Sequence, residues 1–304
     1  MRRALTATLA LLALAGCGAG PGEGAVGTSL VVTDGFGREE LLRAEEPRTA
    51  GDETVMRLLQ RNAPAVRTHY GGGFVQSIDG RAGGEEDGRR FDWFYFINGS
   101  EAEVGAAERK LREGDRIWWD RRDWSGAMGV PAVVGSFPAP FTTGVFGDRL
   151  PTRVECADPE SAACDAVVQR LVDLDIVAAK GGLARNVAPE TLRVVVGPWA
   201  AVRADRVLRQ LERGPEITGV FARPAPDGRT FGLLDPSTRV VRRAGPGTGL
   251  VAATKIGVEQ PVWAITGTDD AGVEAAAAAL TEEALRNAYA LVLERGRAEA
   301  LPLP

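Results

Sequence analysis

Residues 91–124, FDWFYFINGSEAEVGAAERKLREGDRIWWDRRDW, constrain this chain more than any other stretch. Trp93, Phe94, Tyr95, Phe96 and Ile97 run together, and such residues fit the pleated, half-buried surface of a strand. Asn98-Gly99 then supplies a tight turn. Glu101 to Leu111 is a short connection, Gly114-Asp115 turns the chain again, and 116–121 reads as a last strand. Four of the six Trp residues, Trp93, Trp118, Trp119 and Trp124, fall in this stretch. In a strand, Trp93, Tyr95 and Ile97 share one face, and Phe94 and Phe96 the other. One face must bury against a helix. Two readings follow. Either every aromatic residue is core or edge packing, or Trp93, Tyr95, Trp119, Trp124 and Tyr70 include an open stacking surface. Aromatic platforms suit flat apolar ligands or sugars, because π-faces and apolar rings exclude water together. Gly71-Gly72-Gly73 allows close approach of a ligand, or is simply a flexible turn.

Upstream, 29–33 (SLVVT) is a β-rich run, and Asp34-Gly35-Phe36-Gly37 predicts a hairpin turn before the stretch that ends at Arg43. Acidic Asp52 and Glu53 suit a helix start. Val55, Leu58 and Leu59 have helical spacing, and Pro64 ends the run. Two strands are expected at 66–68 and 74–78, a turn at Asp79-Gly80, and a polar loop over 81–90. Asp115, Asp120 and Asp123 are spaced too irregularly for a calcium loop. Interleaved with Arg116, Arg121 and Arg122, they read as a solvated charged edge that guards a strand from pairing with another chain. His69, the one His in the chain, reads as a surface residue.

Hairpin, helix, then further strands is the order of a β-grasp domain. Residues 28–124 resemble the bacterial domain family similar to the C-terminal domain of transcobalamin and intrinsic factor. The resemblance rests on Thr54-Val55 with Leu58-Leu59, on Ile78-Asp79-Gly80, on Trp93 through Gly99, on Gly105-Ala106, and on Leu111-x-x-Gly114-Asp115-x-Ile117-x-Trp119. It implies a planar ligand such as a corrinoid, by fold analogy alone.

The N-terminus, MRRALTATLALLALAGC, has a basic start and an apolar run over 4–15 that is too short to span a bilayer. It reads as a secretory signal, 1–16. Leu14-Ala15-Gly16-Cys17 resembles a bacterial lipoprotein box, which implies cleavage before Cys17 and a lipid, palmitate included, on that residue. An ordinary signal peptide cut nearby is the other reading. Gly-rich 17–27 then serves as a tether, and the expected location is the outer face of the cell membrane.

Residues 125–151 form a Pro/Gly linker, yet they carry Val133, Val134, Phe137, Phe141 and Val145, so they are expected to lie against a domain surface. From 152 to 304 the pattern is that of a mixed α/β domain, which makes the whole chain α+β. Strands are expected at 152–155, 192–196, 220–222, 231–234, 240–241, 250–254 and 262–266. Helices are expected near 161–174, 198–211 and 271–295. Cys156 and Cys164 favour a disulfide in an exported chain, against two buried thiols. Gly245-Pro246-Gly247-Thr248-Gly249 lacks the Lys-Ser/Thr of a phosphate loop, and a strand-like run follows it.

The chain has a formal net charge of −5, more negative once Arg2 and Arg3 leave with a leader, and no basic stripe speaks for nucleic acid. The one His is poorly placed for a Ser-His-Asp set and cannot make a multi-His metal site, and no Gly-x-Ser-x-Gly elbow exists. The chain therefore reads as a non-enzymatic, cofactor-free lipoprotein that binds a small molecule. The alternative is an envelope assembly protein that meets another protein.

Overall fold

The computed structural model describes residues 24–145, 147–184 and 187–304. Cys17, the leader and most of the tether lie outside them. The fold combines α and β structure, with sheets dominant.

Ser29–Asp34 and Glu39–Ala44 pair as an antiparallel hairpin. Gly35 and Gly37, at φ 72° and 79°, turn it as expected. Thr54 caps the helix Val55–Asn62 by accepting from the Arg57 amide at 3.3 Å, and the helix buries Val55, Met56, Leu58 and Leu59. Ala63 leaves helical geometry one residue before Pro64. Arg116–Asp123 lies parallel to Ser29–Asp34 and antiparallel to Arg89–Ile97. The last strand of this unit is thus the middle of its sheet, not an edge. That position overturns the solvated-edge expectation. Asp115, Asp120, Asp123, Arg121 and Arg122 are all buried. Residues 81–90 are not a loop either. They form short strands at Arg81–Ala82 and Gly84–Glu86, and Arg89 and Arg90 open the long strand Arg89–Ile97. Polar side chains hid the pairing because this edge is solvent-facing.

The second unit is built on a seven-stranded sheet. Ala178–Gly182, Thr152–Cys156, Leu192–Pro198 and Val262–Gly267 are mutually parallel, in that order. Gly249–Thr254, Ala290–Glu294 and Arg297–Leu301 extend the sheet antiparallel. Helices Ala162–Val172 and Asp270–Ala278 cover one face through Val167, Leu171, Val273 and Ala277. Cys156 and Cys164 form a disulfide that ties a strand end to the first of these helices. Asp269 caps the second, accepting from the Gly272 amide at 2.9 Å. The expected long helix over 271–295 is overturned: it stops at Ala278, and a short turn Glu282–Leu285 follows. Ala290–Glu294 leaves it because Leu291 and Val292 pair with Val251 and Leu250 and fill the core between two strands. Arg295-Gly296, both at positive φ, then make a hairpin turn. The helix expected over 198–211 is likewise split, into Trp199–Val202 and a 3-10 segment Leu208–Arg213.

The free faces of the two sheets meet. Strand alternation points Val31, Phe96 and Trp118 away from the Val55–Asn62 helix, and they join Phe221, Phe231 and Tyr289 in one core with Phe36. Segment 125–151 does not span a gap. Val130, Val133, Val134, Phe137 and Phe141 are at most 2% exposed, and the Val134 amide donates to the Tyr289 carbonyl at 3.2 Å.

Candidate ligand-binding site

A cleft of about 800 Å³ opens on the second sheet, on the face away from the helices. Its floor comes from the adjacent strands Thr152–Cys156 and Leu192–Pro198. In these strands Val154, Cys156, Val194 and Val196 point to the helical core, so alternation turns Glu155 and Arg193 to the opposite side. Arg193 forks onto Glu155, Nε to Oε1 at 3.0 Å and Nη2 to Oε2 at 2.8 Å, and Nη2 also reaches Asp205 Oδ2 at 2.6 Å. Burial works against the Arg193 cation, but hydrogen bonds to Glu155 and Asp205 outweigh it and raise its pKa above the ordinary Arg value. Asp205 Oδ1 accepts from the amides of Val207 at 2.8 Å and Leu208 at 3.0 Å, which fixes the turn that walls one side. Leu183, Val187 and Pro189, on the crossover between strands, wall the other side. Arg206 and Glu259 pair at 2.7 Å on the rim. Gln260 lines the cleft with a buried Oε1 that has no partner among the described residues.

The floor is rigid because every charge on it has a counterion in place, and the walls are apolar. Such a site can hold a molecule with an apolar body and a polar edge. None of its residues stood out in the sequence. The signal was present in part: charged Arg193 interrupts the otherwise apolar strand run LRVVV, and Glu155 sits between Val154 and Cys156.

The aromatic candidates lie elsewhere. Trp93, Tyr95 and Trp119 are no more than 8% exposed and pack on the Val55–Asn62 helix. Tyr95 stacks on Trp119 at 4.8 Å and donates to the Val104 carbonyl at 2.5 Å. Burial pushes its phenol up to about 12. Trp124 is half-buried under the Arg90 guanidinium, 3.9 Å from its ring. Tyr70 is 88% exposed on a hairpin tip. The Trp124 amide bonds to Arg90, whereas the tip at Gly73 lies by Gly105, next to the Val104 that Tyr95 holds. Arg90 and Tyr95 are five residues apart on one strand, about 16 Å. These five aromatics therefore do not assemble into one face.

A second polar cluster sits where the two sheets meet. Asp120 accepts from Thr33 Oγ1 at 2.5 Å, the Phe36 amide at 3.0 Å, the Gly37 amide at 3.1 Å and Tyr289 Oη at 2.8 Å. Burial nonetheless raises its acid to about 6. Asp120 is fully buried and bonds residues of both units. His69 is exposed, with its ring 6.0 Å from that of Tyr70. Among the described residues, no group of three or more His, Cys, Asp and Glu is placed to hold a metal ion, and no helix is long and apolar enough to cross a membrane.

Residues 52–122 form a DUF4430 domain, a domain of unknown function. The match takes in the helix and the central strand but begins after the first hairpin, so the strand beside Arg116–Asp123 lies outside it. The cleft lies wholly outside the DUF4430 domain. No curated protein is similar enough to the chain to count as a match.

Proposed function

We propose that the protein is a lipoprotein anchored through Cys17 outside the cell membrane, and that it binds a small molecule in the cleft of its α/β unit. The carrying observation is the cleft itself: about 800 Å³, apolar walls, and a floor pre-set by the Arg193 fork. Preorganised sites avoid the ordering cost of binding. The Cys156–Cys164 disulfide supports an oxidising, extracytoplasmic setting. Both floor carboxylates are engaged by Arg193, which supports binding rather than proton transfer.

The DUF4430 domain serves this reading as a support. The hairpin that precedes it, its helix and its central strand support the β-grasp and transcobalamin-like reading of residues 28–124. The buried Trp93, Tyr95 and Trp119 leave that reading without an open stacking face. The proposed ligand site therefore moves from those aromatics to the cleft, with a corrinoid kept as one member of the test panel.

The test is calorimetric titration of the purified full chain with cobalamin, glycans, amino acids and other small metabolites, repeated on a cleft-wall variant, Val187→Arg. Saturable heat that the variant abolishes supports the reading. Binding unaffected by Val187→Arg, or no binding across the panel, moves the function to the envelope-assembly alternative. Labelling with radioactive palmitate in cells, lost in Cys17→Ala, tests the anchor.

A further inference from the structure

Tyr70 and Phe74 are the odd pair in this molecule. Their rings meet edge to face at 6.0 Å, yet they are 88% and 67% exposed. Scattered single apolar residues on a surface need no explanation; two aromatics in contact at one tip do. Alternation along Phe74–Ile78 accounts for the outward aim. Val75 and Ser77 are buried on one face, which leaves Phe74 and Gln76 on the outer one. Tyr70 is held at φ 51°, a left-handed conformation that a bulky residue rarely adopts. The core under this hairpin is the one on the Val55–Asn62 helix, whereas the second unit packs on the other face of the sheet.

The charge around the tip is unlike the rest of the chain. Residues 54–78 contain Arg57, Arg61, Arg67 and His69 and no Asp or Glu, in a chain whose net charge is −5. Arg57, Arg67 and His69 are exposed. Arg61 is drawn to buried Glu53 at 2.8 Å.

The tip also lies within reach of the tether. The Ala25 carbonyl is held by Thr49 Oγ1 at 3.2 Å. From there the contacts run through Ala50 to Glu53, from Glu53 to Leu111, from Ala106 to Met56, and from Gly105 to Gly73 at the tip. Cys17 and Gly24 are seven residues apart, a span of at most about 25 Å. Val26 and Val104 are further exposed apolar residues along this path.

We infer that the Tyr70–Phe74 tip, with the exposed Arg57 and Arg67 of the same segment, docks on the anionic headgroup surface of the membrane that carries the anchor. This rests on the lipid-anchor reading given above. Amphipathic aromatic rings settle at the headgroup level, and flanking Arg is drawn to anionic lipid. Docking sets the DUF4430 domain against the bilayer.

The experiment uses the full lipidated chain in vesicles of phosphatidylcholine and phosphatidylglycerol. Phe74→Trp places a reporter at the tip, and brominated lipid quenches only a Trp that reaches the bilayer. Flotation reports the anchor independently. The expected result is a chain that floats, with a quenched emission component that wild type lacks and that falls when Arg57→Glu and Arg67→Glu are added. A chain that floats with no added quenching overturns the inference and leaves the patch to a protein partner. Quenching indifferent to both Arg substitutions overturns the anionic-surface assignment. A chain that does not float removes the anchor reading, and this inference with it.

Discussion

Tyr289→Phe deletes one hydroxyl at the centre of the molecule. That hydroxyl donates to Asp120 Oδ2 at 2.8 Å, and Tyr289 and Asp120 are 1% and 0% exposed. A hydrogen bond to a charged group contributes about 1.5–3 kcal/mol, so the substitution should cost about 2 kcal/mol at pH 8, where Asp120 is ionised. The cost should shrink at lower pH. Burial raises the folded-state acid of Asp120 to about 6, against donors Thr33, Tyr289 and Gly37 and the charge of Arg122, from an ordinary value of 3.8. Between those values the folded chain holds a proton that the unfolded chain has released, so this group's contribution falls as pH rises through that window. Losing the Tyr289 donor raises the folded value further and deepens the loss at high pH. Urea unfolding at pH 5 and pH 8, alone and combined with Asp120→Asn, measures the coupling. A coupling of about 1 kcal/mol or more at pH 8 is expected for two residues in one buried network. An unchanged urea midpoint, or the full cost persisting beside Asp120→Asn, would refute the argument.

Gly37→Ala should be severe, on the order of 3 kcal/mol, because it combines strain with a clash. Gly37 has φ 79°, and its new methyl would sit 1.9 Å from the Asn287 carbonyl oxygen; thermal unfolding reads the loss. Arg193→Ala leaves Asp205 without its Arg193 partner and Glu155 with only Arg153, at 3.4 Å, and breaking a buried pair costs about 3–5 kcal/mol. Arg193 retains some exposure, so calorimetry should show the lower end of that range, and Arg193→Lys should recover only part because it cannot form the fork. Replacing Cys156 and Cys164 with Ala opens a short loop, and chain entropy puts the cost at about 2.5 kcal/mol. A much larger drop in the urea midpoint would mean that packing at these buried residues matters more than the crosslink.

Elements with a local signature were legible. The hairpin at Asp34–Gly37, the helix before Pro64, the Trp93–Ile97 strand and the Cys156–Cys164 pair all follow from turn chemistry, periodicity or cysteine count. Elements defined by distant partners were not. Residues 116–123 look like a charged edge because nothing local reveals that Ser29–Asp34 pairs on one side and Arg89–Ile97 on the other. In that setting the Arg122 Nη atoms donate to the carbonyls of Ala127 and Met128 and to Glu101, and the guanidinium lies over the Phe94 ring, partners that no local sequence pattern reveals. The run 271–295 looks helical because its Ala-rich stretch continues the period past Ala278. Pairing with Gly249–Thr254 decides the state of Ala290–Glu294. The cleft escaped notice for the same reason: Glu155, Arg193 and Asp205 converge only once the strands are laid side by side.

The same logic bears on how the two units depend on each other. A pure spacer between domains would be polar, and 125–151 instead buries Val130, Val133, Val134, Phe137 and Phe141. One core takes Val31, Phe36, Phe96 and Trp118 from the first unit and Phe221, Phe231 and Tyr289 from the second. Strand alternation forces this sharing. The Val55–Asn62 helix can cover only one face of its sheet, and the other face is equally apolar. A DUF4430 segment cut at 52–122 would lose the strand Ser29–Asp34 beside its central strand and bare Phe96 and Trp118. In this chain, therefore, the domain is held folded by its neighbour, and the Asp120–Tyr289 bond ties the two across their shared core.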